Sequence, residues 1–247
     1  MLSKNQIKLI KSLETKKNRK REGLFVAEGP KVVGDLLRAG YTPHSIFSTV
    51  SRPDAELITD DELRRISFLQ HPQEVLGVFH ISTIPQPSDI SHQTSTLSLA
   101  LDGVQDPGNV GTIIRIADWF GITQIYCSPD TADVYNPKVV QATMGSLAHV
   151  NITYCDLVPL LSKADVPIYG TLLDGQDIYQ QPLSENGIIV MGNEGNGIST
   201  EVRQLVTNKL LIPNFNKNSE TAESLNVAIA TAITLSEFRR LQRHTLA

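Results

Sequence analysis

Apolar residues recur at three-residue intervals in Ile7, Ile10 and Leu13, so residues 4–13 predict a short amphipathic helix. A basic stretch follows, and then the unbroken apolar segment Leu24-Phe25-Val26-Ala27 predicts a strand. Val32, Val33, Leu36 and Leu37 restore a helical period over residues 31–39, with Gly40 placed to end it. Residues 44–49, 60–66 and 75–82 then read as strand, helix and strand. The first 82 residues predict a small α/β unit. From Pro85 to Thr96 the pattern lapses into two prolines and a run of Ser and Thr, which marks a linker and divides the chain into expected domains at residues 1–90 and 97–247. Beyond it, apolar runs at 97–101, 124–127, 167–172, 187–191 and 210–212 alternate with helical patterns at 109–120, 136–147, 199–207 and 224–243. That alternation predicts an α/β domain with a parallel sheet covered by helices on both faces.

Composition adds bounds. With 247 residues, 40% hydrophobic and 19% charged, the chain is neither a disordered tail nor a fibrous repeat, and it can bury two cores. The formal charge of −4 taken alone speaks against a nucleic-acid partner, but its distribution reverses that inference. Residues 1–22 hold Lys4, Lys8, Lys11, Lys16, Lys17, Arg19, Lys20 and Arg21 against Glu14 and Glu22, a net +6, so the remainder carries −10. A basic arm on an acidic body suggests a polyanionic partner, with Lys8, Lys16, Lys17, Arg19, Lys20 and Arg21 as candidate phosphate contacts. Cys127 and Cys155 have neither CxxC spacing nor paired histidines nearby, so two reduced thiols, no metal site and a cytoplasmic setting are expected. No window approaches the ~18 apolar residues of a membrane span and no secretory h-region is seen after Met1, so neither secretion nor membrane spanning is expected.

Three constellations carry candidate chemistry. In the first, an apolar strand runs into Asp106-Pro107-Gly108-Asn109, read as a type II turn with Asn109 capping the next helix. Arg115, on that helix, is expected to swing its guanidinium back beside Asn109 at the carboxyl end of the sheet. In the second, the strand Gly187–Met191 is followed by Gly192-Asn193-Glu194-Gly195-Asn196-Gly197, where glycines let the backbone approach a flat or anionic ligand before a helix capped by Ser199. This spacing is not the dinucleotide fingerprint, and no phosphate-binding P-loop occurs. In the third, Pro213 stops a strand, and a helix is expected to start near Ser224, with Ser224 and Asn226 presenting neutral hydrogen-bonding groups.

The order of the three, Asp106–Arg115, Ile189–Ser199, then Ile212-Pro213 with Glu223–Ala230, resembles the motifs of the SpoU/TrmH family of RNA ribose 2′-O-methyltransferases, within the SPOUT superfamily. The arm, with Lys8, Leu13, Lys16, Lys17, Arg19, Phe25 and Glu28-Gly29, is similar to that family's N-terminal substrate-binding domain. The resemblance implies a small N-terminal α/β RNA-binding domain and a C-terminal SPOUT-type domain with a deep trefoil knot, S-adenosylmethionine as cofactor, and a homodimer. By motif position it implies cofactor contacts at Gly192, Ile212 and Leu225, with Gly197 permitting the bend of the glycine loop and Thr171 and Leu172, after the 167–172 strand, expected to line the same pocket. It implies a polar active site of Asn109, Arg115, Glu194, Ser224 and Asn226, with Glu194 organising the glycine loop. Methyl transfer to a 2′-oxygen needs alignment of the reactants and removal of a hydroxyl proton. A guanidinium with pKa above ~12 stays protonated, so Arg115 is expected to anchor the target phosphate and the developing alkoxide rather than act as the base. The family's chemistry requires RNA, since DNA lacks the 2′-hydroxyl. Ribosomal RNA is the preferred substrate; transfer RNA, a methylated base, and an RNA-binding homologue without catalysis stay open. One departure is the segment Asn214–Ala222, a few residues longer than the family pattern before Glu223.

Overall fold

Ser3 opens the first helix with a capping box: its hydroxyl accepts from the Gln6 N–H while the Gln6 side chain accepts from the Ser3 N–H. The computed structural model describes residues 1–81, 96–216 and 224–245. Most of the expected linker and the later part of the Asn214–Ala222 segment lie outside those residues. The elements in order are α1 (Lys4–Ser12), α2 (Lys16–Glu22), β1 (Leu24–Glu28), α3 (Pro30–Arg38), β2 (Pro43–Ser48), β3 (Glu56–Leu57), α4 (Asp60–Ile66), β4 (Val75–His80), β5 (Leu97–Asp102), α5 (Pro107–Trp119), β6 (Gln124–Cys127), α6 (Pro137–Thr143), β7 (Asn151–Tyr154), α7 (Leu157–Ser162), β8 (Ile168–Asp177), β9 (Gly187–Gly192), α8 (Thr200–Arg203), β10 (Asn208–Leu211) and α9 (Val227–Thr245).

The chain packs as two units. The first comprises residues 1–85 together with 133–149, and the second residues 86–132 and 150–247. The first unit carries a four-stranded mixed sheet in the order β1-β4-β2-β3. Ile10, Leu13, Phe47, Leu63, Ile66 and Leu76 form part of its core. All five residues of β1 are buried because α6 closes a face of the sheet, with the Tyr135 ring 4.7 Å from that of Phe25. By packing, then, residues 133–149 depart from the contiguous 97–247 domain that the sequence predicts. The basic stretch after α1 is itself helical (α2), with Thr15 as N-cap and Gly23 in the left-handed region at its end.

Arg19 needs correction as a phosphate contact. It is 2% exposed. Its guanidinium donates to the carbonyls of Leu13 (2.8 Å) and Glu14 (2.7 Å) and pairs with Asp133, Nε at 3.0 Å. Lys8, Lys16, Lys17, Lys20 and Arg21 are exposed, and Arg21 pairs with Glu22.

The second unit carries a six-stranded sheet, β10-β8-β9-β5-β6-β7, parallel throughout. Strands β5, β6 and the first five residues of β9 are wholly buried, as expected of strands covered on both faces. From β5 the sheet grows outward through β6 and β7, and the chain then returns to the other side of β5 to add β8, β9 and β10. The strand order therefore switches direction between β5 and β9, and the crevice at the carboxyl ends of strands at such a point is where open α/β sheets bind ligands. Asp102 and Gly192, the last residues of those strands, are register partners. The glycine-rich segment is thus carried to the start of α5. Cys127 and Cys155 are free thiols in this unit, and burial pushes both thiols' pKa up. Among the described residues no helix is long and apolar enough to cross a membrane.

Candidate active site

The helix after β5 begins earlier than the sequence reading places it. Asp106 is the N-cap, accepting from the Asn109 N–H at 2.8 Å, and Pro107 and Gly108 form the first helical turn rather than a type II turn. Relieved of capping, the Asn109 side chain points to other partners. Its Nδ2 donates to Glu194 Oε1 at 2.9 Å, and its Oδ1 accepts from Asn226 Nδ2 at 2.9 Å. One residue from each of the three motifs is joined in this chain of hydrogen bonds.

Each end of the chain is held by backbone. Glu194 also accepts from the N–H groups of Gln105 and Asp106, both at 3.3 Å. Burial by itself pushes its carboxyl up, but the Asn109 amide and the backbone donors outweigh that and hold it below the usual carboxylate range, so Glu194 is ionised at neutral pH. At the other end α9 starts at Val227, not near Ser224. Asn226 is its cap, with Oδ1 accepting from Ala228 N at 2.9 Å and Ile229 N at 3.3 Å.

The glycine segment is closed by Asn193, whose backbone exchanges bonds with Gly197 at 2.8 and 2.9 Å. The Asn193 side chain accepts from Gly195 N and Asn196 N and donates to Gly103 O at 2.7 Å. Sequence reading assigned Asn193 no role; an asparagine two residues before a glycine, where its side chain closes a turn on its own backbone, was the available signal. Ser199 makes no side-chain cap, and α8 is only four residues long; the Ser199 N–H instead donates to Asp102 Oδ2 at 2.7 Å.

Beside this network lies a cavity of about 820 Å³, within the range of small-molecule sites. Thr171, Leu172, Gly192, Gly197, Ile212 and Leu225, the six expected cofactor residues, all line it. Glu194 and Ser224 line it too, whereas Asn109 and Asn226 stand behind Glu194. Leu173, Phe215 and Leu225 present exposed apolar surface there, suited to a flat ring. Arg115 is exposed on α5 and, among the described residues, makes no hydrogen bond or ion pair. Six helical residues place it about 9 Å along the axis from Asn109 and pointing elsewhere. The expected return of its guanidinium to Asn109 is not what the structure has. No cluster of metal-ligating side chains occurs among the described residues.

The tightest point of the loop is Gly192. A Cβ there would lie 2.3 Å from Gly197 C and 2.4 Å from Ile198 N, backbone atoms that cannot swing aside. Gly192→Ala is therefore expected to force the loop open and, if the cavity takes the cofactor that the motif resemblance implies, to weaken S-adenosylhomocysteine binding by about tenfold or more, measured by calorimetry. Unchanged affinity would show that the loop does not shape the cavity.

Comparison with known proteins gives concordant matches. The SpoU rRNA methylase family model matches residues 96–236, and that of the MRM3-like substrate binding domain matches residues 4–77. A 23S rRNA guanosine 2′-O-methyltransferase of Bacillus subtilis, RlmP, is 32% identical over 96% of this chain and 97% of its own length. A solved structure from Porphyromonas gingivalis, assigned to the TrmH family of RNA methyltransferases, is 45% identical with a TM-score of 0.84, covering 98% of this chain and 99% of the other. The AdoMet-bound structure of an rRNA methyltransferase from Sinorhizobium meliloti is 32% identical, TM-score 0.84, covering 98% and 96%.

Proposed function

This chain belongs to the SpoU rRNA methylase family, and from that premise we propose that it transfers a methyl group from S-adenosylmethionine to a ribose 2′-hydroxyl of ribosomal RNA. The observation that carries the reading is the Asn226–Asn109–Glu194 chain at the wall of the cavity, which unites the three motifs at the sheet's switch point. The residues fit the cofactor. Exposed apolar side chains suit a purine, backbone groups of the glycine loop suit its polar edge, and the volume suits the whole molecule.

S-adenosylmethionine supplies an electrophilic methyl on a sulfonium. The protein's task is then to align a 2′-oxygen with it and to stabilise the charge that develops there. Ionised Glu194 keeps the glycine loop joined to the start of α5, and Asn109 and Asn226 fix its orientation. Arg115, exposed and without a partner among the described residues, takes the target phosphate and the developing alkoxide in this reading, with that phosphate or a water accepting the proton. Ser224 lines the same cavity and hydrogen-bonds the substrate.

The reading also takes the protein as a cytoplasmic homodimer whose C-terminal segment is threaded as the family's trefoil knot, with the first unit selecting the RNA. Exposed Lys8, Lys16, Lys17, Lys20 and Arg21 grip its backbone. Removing residues 1–22 is the wrong test of that grip, because Leu2, Ile10 and Leu13 are core residues. Replacing Lys8, Lys17 and Lys20 together by Gln is expected to leave the fold intact, weaken RNA binding and flatten its log–log salt dependence by about 2 to 3 units. An unchanged slope would return these lysines to ordinary surface.

The activity itself is tested by incubating the full chain with ribosomal RNA and S-adenosylmethionine labelled in the methyl group, then separating nucleosides. A labelled 2′-O-methylnucleoside is expected. A labelled base, or no product with ribosomal RNA, would overturn the assignment.

A further inference from the structure

Among the described residues lining the cavity, Asp174, Glu194 and Arg203 are the charged ones. Glu194 is taken up by Asn109, Gln105 and Asp106. The other two form a pair on the wall: Arg203 Nη2 lies 2.6 Å from Asp174 Oδ2. The same oxygen also accepts from Lys209 Nζ at 3.0 Å, although Lys209 does not itself line the cavity. One carboxylate thus serves two cations, and the trio carries a net positive charge. The Nε and Nη1 groups of Arg203 have no partner among the described residues. A guanidinium fixed by one bond at Nη2 on a cavity wall keeps further N–H donors with which to receive a carboxylate.

We propose that Arg203 binds the α-carboxylate of the cofactor's amino-acid end, with Asp174 as the residue that positions its guanidinium. The assignment rests on the cofactor reading above. It follows from charge matching, since S-adenosylmethionine has one anionic group and Arg203 is the one cation among the described residues of the cavity lining. The division of labour is physical. Apolar side chains and the glycine loop take the adenosine end, while Arg203 distinguishes a ligand that carries the amino-acid tail from one that lacks it. Lys209 keeps Asp174 from neutralising Arg203.

Two ligands separate this role from general cavity shape: S-adenosylhomocysteine, which has the carboxylate, and 5′-methylthioadenosine, which does not. In calorimetric titrations of the full chain, Arg203→Met is expected to weaken S-adenosylhomocysteine binding about tenfold or more and leave methylthioadenosine within about twofold. Arg203→Lys, which keeps the charge without the fork, is expected to lie between wild type and Arg203→Met. Raised salt should weaken only the homocysteine-bearing ligand in wild type. Equal loss of both ligands, or loss of neither, would overturn the proposal. Failure of the wild-type protein to bind either ligand would instead overturn the cofactor reading, and this assignment with it.

Discussion

Arg115→Ala is expected to lower the rate of methyl transfer by about 10²- to 10³-fold while leaving S-adenosylhomocysteine affinity within about twofold. The reason is the separation of two sets of residues. The cavity is lined without Arg115, so binding the cofactor does not use it. Its guanidinium is exposed and has no partner among the described residues, so its removal leaves nothing unpaired and the fold unchanged. What is lost is a donor aimed at RNA phosphate and at charge that exists only as the 2′-oxygen attacks. Arg115→Lys should recover part of the rate, since an ammonium keeps the charge but not the fork. Single-turnover rates measured at saturating cofactor and RNA test this directly. Near-normal transfer by Arg115→Ala would remove Arg115 from the mechanism.

Arg19→Ala is expected to destabilise the first unit by about 3–5 kcal/mol, although Arg19 lies in the middle of a basic run that looks like a surface feature. The side chain is 2% exposed and bridges the carbonyls that end α1 to Asp133, which packs in the same unit from far along the chain. Removing it strands a largely enclosed carboxylate and two carbonyls and leaves a cavity. Arg21→Ala, two residues on and exposed, provides the contrast and should change stability by no more than about 0.5 kcal/mol. Urea unfolding followed by a probe in the first unit distinguishes the two, and an Arg19→Ala loss under about 1 kcal/mol would contradict the buried network.

The contrast between these arginines explains how far the sequence could be read. Hydrophobic spacing located β1, α4, β5, β6 and β9 to within a residue or so, because buried strands and amphipathic helices must show their faces in sequence. It missed β7 (Asn151–Tyr154), a short strand with exposed and half-exposed residues and therefore little apolar signal. It also missed α2, whose seven residues are nearly all charged, leaving no apolar stripe to betray a helix. Caps were misread where two polar residues competed. Asp106 and Asn109 are both good caps, as are Ser224 and Asn226, and only tertiary placement decides which side chain stays local.

The chemical site follows the same division. The six expected cofactor positions, four from the motifs and Thr171 and Leu172 from the strand at 167–172, all line one cavity, since strand order fixes which loops meet at the switch point between β5 and β9. Asp174 and Arg203 lie in no motif and became visible only when β8 and α8 were brought to that cavity. By itself, then, the sequence determined the layered α/β class, the identity of the motif residues and the placement of positive charge at the N-terminus, all of which are local or periodic properties. Tertiary structure alone decided that Asn109 faces Glu194 rather than its own helix end, that residues 133–149 complete the first unit, and that Arg19 is buried while its neighbours are not. Those outcomes depend on contacts between residues 85 to 117 positions apart, and such contacts leave no period in the chain.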